Sequence, residues 1–141
     1  MSRSKASKGK PTIDYNASIN ESNFGRIYSS MLKSKSYLEL SIGAQKMYLV
    51  LRAHAQSQDG RRCLYRYSEI QGKNYTSDKY FVFPKSHATQ YGYKAPNVTK
   101  YIKELEAAGF IKTVENNQHR HNVNVYAFVS AWKENLLLSH R

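Results

Sequence analysis

Fourteen polar side chains between residues 85 and 122 have the chemistry to grip a polyanion. Lys85, Ser86, Thr89 and Gln90 come first, followed by Lys94, then Asn97, Thr99, Lys100 and Lys103, and finally the run Gln118, His119, Arg120, His121 and Asn122. Ammonium groups neutralise phosphates, while hydroxyls and amides hydrogen-bond phosphate oxygens or base edges. Asn97 can read an adenine, whereas residues 96–108 contain no Arg, the side chain best suited to bidentate reading of guanine. Arg120, flanked by hydrogen-bonding groups, suits a narrow A/T-rich minor groove.

The same run raises an enzymatic alternative. His119 and His121 alternate with Arg120, which on a strand would put both imidazoles on one side, where they could hold a metal. Relaxases and rolling-circle initiators use such a pair with a tyrosine nucleophile, and this chain has 12 tyrosines. Their pair, however, sits among apolar residues on a buried strand, whereas here Gln118 and Asn122 flank it at an expected loop. No acidic cluster or third histidine follows at metal-ligand spacing. The expectation is a binding protein without a catalytic centre, cofactor or metal.

Charge points the same way. Twenty-two Lys and Arg against ten Asp and Glu give a formal +12 in 141 residues, so the field of the whole molecule attracts polyanions. No run approaches the roughly 18 apolar residues needed to span a bilayer, and the N-terminal MSRSKASKGK lacks the apolar core of a secretory signal. The single Cys63 cannot form a disulfide framework within the chain. A cytoplasmic protein without membrane association is expected.

Several elements must position these side chains. Residues 1–23 read as a disordered basic arm, with Arg3, Lys5, Lys8 and Lys10 clustered at its start. An extended lead and a short helix or turn follow over 24–40. Ser41 then caps a core helix reaching about Gln56, in which Ala44, Met47, Tyr48, Leu51 and Ala55 share one face. Across 57–79, turn signals at Asp59-Gly60 and Gly72-Lys73-Asn74 bracket a short strand over Cys63–Tyr67. Tyr80–Phe83 reads as a buried strand ended by Pro84. A short helix, a turn at Gly92 and a second helix started by Pro96 come next. On that second helix Val98, Tyr101, Ile102, Leu105 and Gly109 form the inward stripe, opposite Lys100, Lys103 and Ala107. A hairpin closes the pattern, with Ile111, Thr113 and Glu115 alternating against Lys112 and Val114. On its return strand Val123, Val125, Ala127 and Val129 alternate with Asn124, Tyr126 and Phe128. Residues 130–141 read as a short C-terminal helix or tail. Its Trp132, Leu136 and Leu137 finish the core or, alternatively, pair two subunits into a homodimer.

The succession of a small helix, the motif YGY, a helix ending KELEAAGFIK and a hairpin ending VYAFV resembles a winged helix-turn-helix DNA-binding domain. Over residues 31–129 it is similar to the N-terminal domains of plasmid replication initiators and related replication or conjugation proteins of mobile elements. The resemblance implies an α+β fold over 24–129, with a three-helix core and a C-terminal β-hairpin wing. It further implies a second helix in the major groove, with the wing on adjacent backbone or minor groove. Asn97, Thr99, Lys100 and Lys103 fall in the N-terminal half of that helix, where the dipole favours phosphate, whereas Glu104 and Glu106 would repel it. Lys85, Ser86, Thr89 and Gln90 would clamp the backbone. The function implied is sequence-directed binding of double-stranded, A/T-rich DNA by an accessory factor that marks a plasmid or mobile-element origin for larger machinery. A transcriptional repressor of the same fold and an RNA- or single-strand-binding protein are the alternatives.

Overall fold

The computed structural model describes residues 26–75, 77–117 and 123–133. The expected basic arm, the hairpin tip Gln118–Asn122, and Leu136 and Leu137 lie outside the described residues. Two short helices, α1 (Ser29–Leu32) and α2 (Lys35–Leu38), lead into α3 (Ile42–Gln56). Ser41 caps α3 as its sequence demands, its Oγ accepting from the Ala44 amide at 3.2 Å. The helix buries Ala44, Met47, Tyr48, Leu51 and Ala55, together with His54 on the same side.

The next segment departs from expectation. Residues 58–71 form a helix, α4 (Gln58–Gln71), where a turn at Asp59-Gly60 and a strand over Cys63–Tyr67 were expected. Three features select the helix. Ser57 accepts from the Gly60 amide at 3.0 Å as N-cap, and Asp59 places a negative charge in the first turn. Leu64, Tyr67 and Ser68 recur at helical spacing on the buried side. Gly60 is not a turn residue here but a contact point, since a Cβ would overlap the His54 carbonyl. Gly72, at φ 63°, ends the helix in the left-handed conformation.

The remaining elements follow the expected order: β1 (Tyr80–Val82), α5 (Lys85–Gln90), α6 (Ala95–Ala107), β2 (Ile111–Glu115) and β3 (Val125–Phe128). Gly92 at φ 86° makes the turn between α5 and α6, and Pro96 lies in the first turn of α6. The strands form one antiparallel sheet in the order β1-β3-β2, so the hairpin pairs with the strand that precedes the two helices.

Both sheet faces are covered. Tyr126 and Phe128, which alternate with Val125 and Ala127 along the return strand, pack with Phe81, Phe110 and Ile111 against α3 and α6. The other face carries Val82 and Val125, which bury against Leu64 and Tyr67 of α4. Among the described residues there are therefore four helices longer than five residues, not the expected three. The register between β2 and β3 shifts between Thr113 and Glu115. That irregularity turns Glu115 away from the face of Ile111 and Thr113 to the α4 side, breaking the expected alternation. Trp132 is buried and stacks on Phe110 at 6.0 Å and 8°, so the core continues past the hairpin. The whole is a mixed α+β arrangement.

Candidate nucleic-acid interface

Helix α6 buries Ile102 and Leu105, with Val98 and Tyr101 packed partly against the same core. At 100° per residue this leaves Thr99, Lys100 and Lys103 on the outer side, and all three are exposed. Asn97 is exposed at one edge, and Lys94, the N-cap residue, is exposed just ahead. On α5, Lys85, Ser86, Thr89 and Gln90 are exposed as well, and the Thr89 hydroxyl donates to the Lys85 carbonyl at 2.9 Å. All nine described candidates thus lie on two consecutive helices and, for Lys94, the turn that joins them. Tyr91, Tyr93 and Tyr101 are half-buried packing residues.

Lys85, Lys94, Lys100 and Lys103 take part in none of the ion pairs among the described residues, which join Lys35–Glu39, Arg61–Asp78, Arg62–Asp59 and Lys73–Glu115. The carboxylates of α6 are occupied elsewhere. Glu104 accepts from the Ser41 amide at 2.7 Å and its hydroxyl at 2.8 Å, tying α6 to the start of α3. Glu106 accepts from the Thr113 amide at 2.9 Å and hydroxyl at 2.6 Å, tying α6 to β2. The sequence reading cast both acids as repelling phosphate. In the structure both also act as struts on the two flanks of the helix, their carboxylates accepting from scaffold donors.

Beneath α5 lies a polar cluster that the sequence reading missed. His54 Nε2 sits 2.8 Å from His87 Nδ1, and His54 Nδ1 sits 3.0 Å from the Tyr91 hydroxyl. His54 is only 2% exposed. Burial, and secondarily the adjacent His87, pull its pKa from the ordinary 6.5 down to about 4. A neutral His54 therefore links α3 to both ends of α5. The signal was present in the sequence, because His54 stands three residues after Leu51 and seven after Met47, within the apolar stripe.

The root of the hairpin is also braced. Glu115 accepts from the hydroxyls of Tyr75 and Tyr67, the latter at 3.0 Å, and from the Lys73 ammonium at 3.0 Å. The Tyr75 hydroxyl above all, then Lys73, Tyr67 and Asn117, hold its carboxyl at about 2 against the desolvation that opposes them. The same Glu115, with burial as the larger cause, pushes the Tyr75 hydroxyl well above its ordinary value. Asn117 donates to the Tyr67 hydroxyl and, at 2.9 Å, to the Val123 carbonyl, bridging the two sides of the hairpin. The tip that carries Gln118, His119, Arg120, His121 and Asn122 lies outside the described residues.

Among the described residues no group of three or more His, Cys, Asp or Glu side chains could hold a metal ion. No helix among them is long and apolar enough to cross a membrane. Scans against protein-family models, curated proteins and solved structures return no match to this chain.

Proposed function

We propose that this chain is a winged helix-turn-helix protein that binds double-stranded DNA through the outer faces of α5 and α6. One observation carries the reading: Lys85, Lys94, Lys100 and Lys103 are exposed on a helix–turn–helix without ion-pair partners, while the two acids of α6 are directed into the scaffold. Phosphate oxygens are the complementary ligand. The strand order β1-β3-β2 and the hairpin directly after α6 fit a wing flanking a recognition helix. In this reading Asn97 and Thr99 approach base edges, Lys100 and Lys103 the backbone, and Arg120 the minor groove.

Duplex is favoured over single-stranded nucleic acid by the tyrosines. Base stacking needs open aromatic faces beside the cations. Among the described residues only Tyr28 and Tyr65 are exposed large aromatics, and neither lies on α5 or α6. In the cell the domain acts, on the strength of the sequence resemblance, as an accessory factor at a plasmid or mobile-element origin.

Competition binding with duplex DNA, single-stranded DNA and RNA at one salt concentration tests the class of ligand, and duplex should displace the others. Alanine at Lys100 or Lys103 should each reduce the slope of log affinity against log salt by about 0.9, the contribution of one phosphate contact. Arg120→Ala should weaken binding to A/T-rich duplex more than to G/C-rich duplex. An unchanged salt slope in the Lys100→Ala/Lys103→Ala double variant would remove α6 from the interface.

A further inference from the structure

Helix α3 meets the α5–α6 unit along one seam, and three contacts fix its direction. Glu104 accepts from Ser41, a Cβ on Gly43 would overlap the Tyr101 ring, and the Lys46 ammonium lies 5.7 Å from the centre of the Tyr93 ring. As α3 advances from 41 to 46, its neighbours recede from 104 to 93. Lys46 therefore stands beside the N-terminal end of α6, next to Lys94, while Glu104 lies at the other end of the seam. Tyr93 and Tyr101 touch edge to face at 6.5 Å and 72°, and each ring carries a lysine, Lys46 over Tyr93 and Lys100 over Tyr101 at 5.5 Å. The tyrosine pair thus ties an ammonium of α3 to the candidate face of α6.

Lys46 is also available. The other Lys or Arg of α3, Arg52, lies 3.9 Å from the centre of the Phe128 ring and donates to the Tyr48 hydroxyl at 2.9 Å. Lys46 is exposed and belongs to none of the ion pairs among the described residues. Residues 40–58 and 79–103 contain no Asp or Glu. The four acids that bound these stretches are each engaged: Glu39 with Lys35 at 3.9 Å, Asp59 with Arg62 at 3.7 Å, Asp78 with Arg61 at 4.0 Å, and Glu104 with Ser41.

The position relative to the hairpin indicates what Lys46 meets. Glu104 and Glu106 project 200° apart on α6, the first toward α3 and the second toward β2. Lys46 and the hairpin therefore border opposite flanks of α6. A helix about 10 Å across fills most of a major groove about 12 Å wide, so phosphates line it on both sides.

We propose that Lys46, held over the Tyr93 ring, is a further phosphate-binding residue that carries the interface from α6 onto α3, on the flank opposite the hairpin. The inference rests on the duplex-binding reading above and adds a third element to it. Its ligand is the phosphodiester backbone, because an ammonium beside the helix faces the wall of the groove and not its floor. Tyr93 is a positioning residue. Its ring supports the ammonium, and its hydroxyl is buried without a hydrogen-bond partner.

The test measures duplex binding by the full chain over a salt series. Lys46→Gln, at an exposed position, should lower the slope of log affinity against log salt by about 0.9, and Arg62→Gln on α4 should leave it unchanged. Tyr93→Phe keeps the ring and should match the wild type. In a Tyr93→Leu background, Lys46→Gln should lower the slope by less than it does alone. A wild-type slope in Lys46→Gln, together with a reduced slope in the Lys100→Ala/Lys103→Ala double variant, overturns this proposal and leaves the reading of α6 standing. Wild-type slopes in both overturn both. Equal reductions in Lys46→Gln and Arg62→Gln also overturn it, since the loss would then follow net charge alone. An undiminished effect of Lys46→Gln in the Tyr93→Leu background overturns the role of the ring.

Discussion

Four donors converge on the single carboxylate of Glu115, and three hydrogen-bonding neighbours, His87, Tyr91 and Ser57, on the imidazole of His54, so these two side chains set how stability responds to acid. The signs agree, but the windows differ. His54 resists protonation in the fold, with its pKa lowered from 6.5 to about 4, so the unfolded chain takes up a proton first and stability falls as pH drops through that interval. Glu115 is held at about 2 against an ordinary 4.5, so its contribution is complete above 4.5 and disappears as pH falls towards 2. Urea unfolding at a series of pH values should show stability falling from near 6.5 downwards in the wild type. His54→Gln should flatten the upper part of that loss, and Glu115→Gln the lower part. Neither network was legible in the sequence, for different reasons. His54 was placed by the periodicity of α3, but its two shorter hydrogen bonds go to residues 33 and 37 positions away, His87 and Tyr91. Glu115 was read onto the wrong face because a register shift in a strand leaves no mark in the residue pattern.

Among the elements, those whose bounds are set by local chemistry were readable. Ser41 before α3, Gly92 between α5 and α6, and Pro96 at the start of α6 each fix a boundary by a hydrogen bond or a backbone angle that the residue itself supplies. Helix α4 shows the limit. Its Asp59-Gly60 pair is a good hairpin turn in isolation, and what overrides it is tertiary: the fit of Gly60 under the His54 carbonyl and of Leu64 against Val82 and Val125. Leu64→Ala should therefore cost about 3 kcal/mol in urea unfolding, the range for emptying a packed core site. A surface strand at that position would lose far less. Gly109 joins α6 to β2 at φ 87°, where a Cβ would lie 2.9 Å from the Ala131 Cβ and the Trp132 amide. Gly109→Ala should destabilise by roughly 2 kcal/mol or more, combining left-handed strain with displacement of the Trp132 segment. A midpoint shift small enough to leave stability unchanged would mean that the Trp132 contact does not hold the helix–strand junction.

Across the whole molecule, positive charge is abundant but unequal in availability. Among the described residues Arg61 and Arg62 of α4 and Lys73 just beyond it sit within reach of carboxylates, whereas Arg66 of α4 and the lysines of α5 and α6 are in no ion pair. The formal +12 alone attracts any polyanion, and so says nothing about which face meets it. The candidate residues were legible as types and as a segment. Their common exposure on consecutive helices, and the inward turn of Glu104 and Glu106, required the packing of α6 on α3 and β2. Hydrogen exchange of the full chain with and without saturating duplex DNA compares the faces directly. The account predicts slowed exchange across residues 85–103 and unchanged exchange across 58–71. Protection confined to α4, or bound duplex with no change across 85–103, would contradict it.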